Sequence, residues 1–126
     1  MDSKEFVGYN LAKELKDMGF DEDCLGFYYY IKTPMLTLCE PELYNKLEKH
    51  NLTLLKAPLW SQVFRWFMKK HNLMGIIDYD ETEKKFYYYI NTMDNKEINW
   101  SKSFKSYDEA EVECLKRLII IVKNPE

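Results

Sequence analysis

The sequence predicts an α+β fold in which helices pack on an antiparallel sheet of three to four strands, in the order α-β-α-α-β-β-β-α. Two near-identical runs carry much of this prediction: Phe-Tyr-Tyr-Tyr-Ile stands at residues 27–31 and again at 86–90. Five successive β-formers are typical of a strand. Segments with apolar residues at helical spacing flank these runs, and polar turns separate the short strands of the second half.

The first half of the chain is predicted to start with a helix over residues 4–18, with Ser3 as its N-cap. Gly19 follows as a left-handed C-terminal stop, with Phe20 packing back on the helix. The first aromatic strand is predicted over residues 25–32. Pro34 is expected to close it, because proline cannot donate to the ladder.

Two further helices are predicted before the second aromatic run. One begins at Pro41 and ends near His50, and the other begins at Pro58. The apolar stripe of the latter consists of Trp60, Val63, Phe64, Phe67 and His71. Basic residues at its C-terminal end favour the helix dipole.

A meander and a last helix complete the predicted fold. Its strands are expected over residues 73–79, 85–92 and 98–104, and Ser106 and Glu109 form a capping box that opens the last helix. The buried face of this helix is predicted to be Ala110, Cys114, Leu115, Leu118 and Val122. From the two helices that flank the meander, Trp60, Phe64, Phe67, Leu115, Leu118 and Val122 are expected to be largely buried.

Length and composition predict a single domain over residues 1–126 in a cytoplasmic setting. The chain has 126 residues, a net charge of −3 and three cysteines at wide spacing, which favours a reducing environment. The N-terminus is charged and lacks an apolar signal core, and the longest apolar run is too short to span a bilayer. The charge predicts no general attraction to nucleic acid or to an anionic membrane.

The chain shows no catalytic motif, so we expect a protein that is not an enzyme and uses no cofactor or metal. There is no phosphate-binding glycine loop, no Gly-x-Ser-x-Gly elbow and no Cys-x-x-Cys pair. His50 and His71 each stand in a Lys-His-Asn-Leu tetrapeptide at a predicted helix end. Capping of a helix end explains these two histidines better than metal binding or catalysis does.

The aromatic strands provide the candidate binding residues. Alternation along a strand directs Tyr28 and Tyr30 to one face, and likewise Tyr87 and Tyr89. Either helices cover both faces of the sheet, or a tyrosine-rich face is left for a partner. Tyrosine is enriched at interface hot spots, so some of these four residues are predicted to remain partly exposed and to contact another protein.

The order helix, three-stranded meander, helix over residues 58–122 resembles the topology of double-stranded RNA-binding domains. That family holds phosphates with lysines at the start of its last helix, but Asp108, Glu109 and Glu111 stand there in this chain. The RNA-binding surface of that family is therefore not carried over. The alternative function, an RNA-contacting module, depends instead on stacking bases on Tyr28, Tyr30, Tyr87 and Tyr89 and on a local basic patch. This patch would consist of Arg65, Lys69, Lys70, Lys84 and Lys85.

A second resemblance rests on residues 57–73, from Ala57-Pro58-Leu59-Trp60 to Lys70-His71-Asn72-Leu73, and on residues 104–111 with the helix that follows. These segments resemble small uncharacterised proteins of phages and mobile elements in Bacteroidetes-type bacteria. The resemblance implies an accessory protein that binds another macromolecule. We therefore expect a non-enzymatic protein-binding module, an inhibitor of a host or defence enzyme or ribonucleoprotein such as a CRISPR nuclease.

Overall fold

The computed structural model describes residues 3–30, 33–49 and 54–124 and confirms the α+β class, with two antiparallel three-stranded sheets. The chain forms two compact units, Met1–Val63 and Phe64–Glu126. The elements in chain order are a 3₁₀ turn at Ser3–Glu5, α1 (Tyr9–Asp17), β1 (Gly26–Tyr30), β2 (Pro34–Leu38), α2 (Pro41–Lys49), β3 (Leu54–Ala57), α3 (Trp60–His71), β4 (Leu73–Asp80), β5 (Lys85–Thr92), β6 (Glu97–Trp100) and α4 (Tyr107–Lys123).

The first helix is shorter than predicted, because the chain before it pairs with a distant segment. Gly8 is extended at the N-cap of α1. Phe6 forms an isolated antiparallel bridge with Leu59, and the Val7 amide donates to the Pro58 carbonyl at 2.8 Å. These backbone groups are therefore unavailable to a longer helix.

The predicted C-terminal stop of α1 is confirmed. Gly19 has a φ of +101°, and the amides of Gly19 and Phe20 donate to the carbonyls of Lys16 and Leu15. This is the bond pattern of a Schellman motif, and Phe20 is buried as the hydrophobic residue that follows it.

The sheet of the first unit has the order β2-β1-β3 and contains two strands that the sequence did not predict. Pro34 was expected to end the first aromatic strand. It is instead the first residue of β2 and pairs in register with Tyr30 of β1. A proline is compatible with the first residue of an edge strand. β3 pairs with the other side of β1 and spans only four residues, too few for a clear period.

The sheet of the second unit has the order β4-β5-β6, with α4 packed on β4 and β5. β5 agrees with the prediction residue for residue. β6 ends at Trp100, earlier than predicted, and Phe104 forms an isolated bridge with Phe86. Trp100 and Phe104 are four positions apart, whereas their partners Tyr89 and Phe86 are three positions apart, so one extra residue interrupts the ladder.

The last helix follows the predicted cap and buried face closely. The Ser106 hydroxyl accepts the Glu109 amide at 3.1 Å. Ala110, Cys114, Leu115 and Leu118 are buried as predicted, and Phe67 of α3 is fully buried. Trp60, Phe64 and Val122 are less completely buried and have intermediate exposure.

Candidate protein-binding surface

The first aromatic strand is covered on both faces, so Tyr28 does not offer a binding surface. Tyr28 is only 8% exposed, and its hydroxyl donates to the Val7 carbonyl at 2.7 Å. The ring packs edge-on against Tyr9 of α1, at 5.6 Å between centroids. On the opposite face, Phe27 packs against Tyr44 of α2. Tyr28 was a predicted contact residue, but it is not one of the exposed tyrosines, because α1 and the segment before it pack on this face.

The side chain of Tyr30 lies outside the described residues, although its backbone belongs to β1. Its predicted role in partner binding therefore stays a prediction.

The second aromatic strand has one covered face and one open face. Gly75, opposite Ile90 in the register, lies directly against Cys114 and Leu118 of α4. Ile90 and Tyr88 therefore point towards the helix, and both are buried. Tyr87 and Tyr89 alternate to the other face, where each is half-buried.

Three rings form a continuous layer on the open face, which we call the aromatic platform: Tyr87, Tyr89 and Trp100. The Trp100 ring stacks on Tyr87, with 5.3 Å between centroids and 10° between planes. It also stacks on Tyr89, at 5.1 Å and 21°. Trp100 is 51% exposed, which is unusual for a side chain of this size.

The neighbours of the aromatic platform give it an apolar side and a polar side. Ile76 lies opposite Tyr89 in the register, and Ile98 is exposed in the same strand as Trp100. Asp78 lies opposite Tyr87, and its Oδ2 accepts the tyrosine hydroxyl at 3.3 Å. Desolvation and the Asp78 charge raise the pKa of Tyr87, so the phenol stays protonated and donates to this carboxylate.

A groove of about 470 Å³ adjoins the aromatic platform at the β4–β5 turn. Its lining residues are Tyr79, Asp80, Glu81, Glu83, Tyr87, Trp100, Ser101, Lys102 and Ser103. Asp80 shapes the turn, since its Oδ1 accepts the amides of Thr82 and Glu83. Glu83 is connected to the segment after β6 through the Ser103 hydroxyl, at 3.1 Å. Two of the platform rings therefore border a groove that is rich in carboxylates.

Trp100 is the residue of this surface that the sequence analysis did not single out. A signal for it was present, because Ile98 and Trp100 alternate with polar residues in a predicted strand. Which face of the meander they occupy follows from the pairing of β6 with β5, and a β-bulge near Asn91 alters that pairing.

The residues predicted to contact RNA do not form one patch. All five are exposed: Arg65, Lys69, Lys70, Lys84 and Lys85. Lys69 and Lys70 lie at the end of α3, just before β4 begins, whereas Lys84 and Lys85 follow the turn after β4 ends. A strand of eight residues spans about 26 Å at roughly 3.3 Å per residue. The two groups are thus at opposite ends of β4.

His71 packs as an aromatic side chain at the end of α3. Its ring lies 4.9 Å from Trp66 and 5.7 Å from Phe67, and burial lowers its pKa. Asn72 after it has a φ of +59°, the left-handed conformation that is typical of the residue after a helix end. His50 lies outside the described residues.

The thiols of Cys24 and Cys114 are buried, and burial raises the pKa of each to about 12. Cys114 lies in the core as predicted. A thiol that stays protonated near neutral pH is a poor nucleophile. Within the part of the chain that the structure describes, no group of three His, Cys, Asp or Glu side chains is arranged to hold a metal ion.

A second cavity, of about 340 Å³, lies in the first unit between α1, α2 and β3. The polar groups that line it bond to one another. Lys56 donates to the Asp21 carbonyl at 2.7 Å and lies over the Tyr44 ring, and the Tyr44 hydroxyl donates to Glu48 at 3.0 Å. The aromatic platform is therefore the stronger candidate site.

No protein-family model, curated protein or solved structure matches the chain. Among residues 3–30, 33–49 and 54–124, no helix is both long and apolar enough to cross a membrane.

Proposed function

We propose that the protein is a non-enzymatic protein-binding module and that the aromatic platform contacts its partner. The observation that carries this proposal is the stacking of Trp100 on both Tyr87 and Tyr89 on the open face of the second sheet. Tyrosine and tryptophan dominate interface hot spots, because they bury a large area for few rotatable bonds.

The arrangement of the rings favours binding for a second reason. Each ring of the aromatic platform already packs against its neighbours and is carried by a paired strand. Little side-chain entropy is then lost when a partner covers the rings, and this lowers the cost of association. Ile76, opposite Tyr89 in the register, extends the apolar area beyond the rings, and Asp78 lies opposite Tyr87.

The resemblance to small phage and mobile-element proteins supports a narrower proposal for the biological role. We propose that the partner is a host or defence enzyme or ribonucleoprotein, such as a CRISPR nuclease, which the module inhibits in the cytoplasm by covering a surface. Such inhibition requires no catalytic group, and the buried thiols are consistent with that.

The paired substitution Tyr87→Ala/Tyr89→Ala tests the proposal. Partners are captured from the native host with the wild-type chain, identified by mass spectrometry and then measured one by one. We expect the double variant to bind at least tenfold more weakly, about 1.4 kcal/mol, while its circular dichroism stays native.

Tyr107→Ala is the matched control for this test, because Tyr107 is an exposed tyrosine that lies on α4. It should bind like the wild-type chain. Native affinity of the Tyr87→Ala/Tyr89→Ala variant would place the interface elsewhere, and weak binding of the Tyr107→Ala variant would point to the acidic helix.

An RNA-contacting module is the second candidate, because stacked exposed rings also accept nucleic-acid bases. Charge argues against it. Carboxylates line the groove beside the rings, and the predicted basic residues are divided between the two ends of β4. The carboxylates of the groove would repel the phosphates of an RNA whose bases stacked on the aromatic platform. The protein-binding proposal therefore agrees better with the charges around the rings.

A further inference from the structure

The groove beside the aromatic platform has more acidic than basic lining residues, in a larger proportion than the chain as a whole. Asp80, Glu81 and Glu83 line it together with a single base, Lys102. The ammonium group of Lys102 lies 5.8 Å from the centroid of the Phe104 ring. Within the described residues, no lysine or arginine forms an ion pair with these carboxylates. The groove therefore has an excess of negative charge.

The walls of the groove add an aromatic component to this charge. Tyr87 and Trp100 line it, and Trp100 is half exposed. A cation over the face of a tryptophan or tyrosine ring is attracted by the ring quadrupole. Carboxylates and aromatic rings in the lining of one groove together favour a cationic side chain.

The geometry favours arginine over lysine. A guanidinium group is planar, stacks on aromatic faces and can donate two parallel hydrogen bonds to one carboxylate. An ammonium group is a compact, strongly hydrated charge that must lose more solvation on entering a groove. The volume of about 470 Å³ leaves room for one such side chain and the backbone on either side.

We propose that the partner inserts an arginine side chain into this groove, between the carboxylates of the β4–β5 turn and the rings of Tyr87 and Trp100. This inference rests on the proposed function, because it names the chemistry of the partner that covers the aromatic platform. An arginine anchor of this kind is typical of interface hot spots.

A peptide series tests the occupant directly. The probes are an acetylated hexapeptide amide, Gly-Arg-Gly-Gly-Arg-Gly, and its lysine and citrulline counterparts. Citrulline keeps the planar shape of arginine without the charge. The readout is the indole N–H signal of each tryptophan in ¹⁵N-labelled full-length protein. We expect the arginine peptide to shift the Trp100 signal in a saturable way, with a dissociation constant on the order of 1 mM.

The lysine peptide should bind at least threefold more weakly, and the citrulline peptide should cause no saturable shift. Trp66 is buried, so its signal should stay in place and report that the fold is unchanged. Equal shifts with arginine and citrulline, or no shift of Trp100 with arginine, would overturn the inference.

The variant Glu81→Gln/Glu83→Gln removes two carboxylates of the groove and leaves the rings intact. It should weaken the arginine peptide at least fivefold. Glu40→Gln/Glu42→Gln is the matched control, because it changes the net charge equally at exposed residues of the first unit. This control should leave binding of the arginine peptide unchanged. Equal weakening in both variants would show that the peptide is attracted by the net charge of the protein and would contradict binding in the groove.

The same variants separate this inference from the proposed function. If Tyr87→Ala/Tyr89→Ala no longer binds the native partner but Glu81→Gln/Glu83→Gln still does, the result supports the aromatic platform as the binding surface. The same result contradicts an arginine of the partner in the groove. If the tyrosine variant keeps the native partner, the proposed function itself fails. Saturable binding of a single-stranded RNA to the wild-type chain that the tyrosine variant loses would overturn both.

Discussion

Gly75 shows how a single residue controls the packing of the second sheet. A β-carbon at this position would lie 2.8 Å from the Cys114 sulfur and 2.9 Å from a ring carbon of Phe64. Glycine in a strand interior often marks such a close approach. The absence of a side chain at Gly75 is therefore what lets β4 pack directly on α4.

We predict that Gly75→Ala lowers the free energy of unfolding by about 1–3 kcal/mol, since the core must move to accept the methyl group. Gly8→Ala is the control, because a β-carbon there meets nothing within 4 Å and the φ of −64° suits alanine. Its expected change is below about 1 kcal/mol. Urea unfolding at neutral pH measures both, and equal values for the two variants would contradict the packing described here.

Glu111 provides a pH-dependent contribution to stability at the residue scale. Burial, with a smaller contribution from the Asp108 charge, raises the pKa of Glu111 from 4.5 to about 7. The folded protein therefore holds this proton more tightly than the unfolded chain. The resulting stabilisation is complete below pH 4.5 and is lost as the pH rises through about 7.

We predict that Glu111→Gln is more stable than the wild-type chain at pH 8, because the amide does not ionise. The difference between the two should shrink as the pH falls from about 7 to 4.5. Glu113→Gln serves as the control on the same helix. It removes an exposed ion pair with Lys116, worth less than about 1 kcal/mol, and should keep the pH dependence of the wild-type chain. Urea unfolding at several pH values measures this, and a Glu111→Gln variant that retains that dependence would contradict the assignment.

At the scale of elements, β1 and β5 show that nearly identical strands can have different roles. Each carries Phe-Tyr-Tyr-Tyr, yet β1 is the central strand between β2 and β3, with α1 and α2 on its two faces. β5 is also central, but α4 covers only the face of Tyr88 and Ile90. The tyrosines of the other face form the aromatic platform.

This difference predicts that the same substitution, tyrosine to phenylalanine, has a large effect on stability in β1 and a small effect in β5. Tyr28→Phe removes the donor to the buried Val7 carbonyl and should cost about 1–3 kcal/mol in the free energy of unfolding. Tyr87→Phe removes a hydroxyl on the open face and should change it by less than about 0.5 kcal/mol. Urea unfolding of the two variants provides the measurement. A loss at Tyr87 as large as that at Tyr28 would mean that β5 is covered on both faces.

At the scale of the whole molecule, charge favours the protein-binding proposal over the RNA-contacting one. The net charge is −3, and residues 58–122 carry ten bases and ten acids. Affinity for nucleic acid depends mainly on basic groups that neutralise phosphates. The separation of the lysines along β4 leaves no concentrated basic surface among the five residues predicted for RNA contact.

We therefore predict that the protein purifies without nucleic acid. The ratio of absorbance at 260 nm to that at 280 nm should equal the value calculated from its own aromatic residues, and a high-salt wash should not change it. A ratio that is raised before the wash and falls after it would favour the RNA-contacting module. The Tyr87→Ala/Tyr89→Ala variant then provides a check, because loss of the extra absorbance would assign the RNA to the aromatic platform.

The sequence by itself determined the α+β class, the Schellman end of α1, the bounds of β5 and the cap and buried face of α4. These features depend on local patterns: a glycine stop, a run of β-formers, a Ser-x-x-Glu box and an apolar stripe. β2 and β3 were not predicted, because short strands carry little periodicity and are stabilised by pairing with β1.

The tertiary structure alone decided which tyrosines lie at the surface. The local sequences around Tyr28 and Tyr87 are almost the same, so no local pattern distinguishes them. Their environments differ because burial depends on which helices pack on each face of a sheet, and that depends on contacts between distant residues. The pairing of β6 with β5 then brings Trp100 to Tyr87 and Tyr89, and an alternating pattern becomes a stacked, exposed surface.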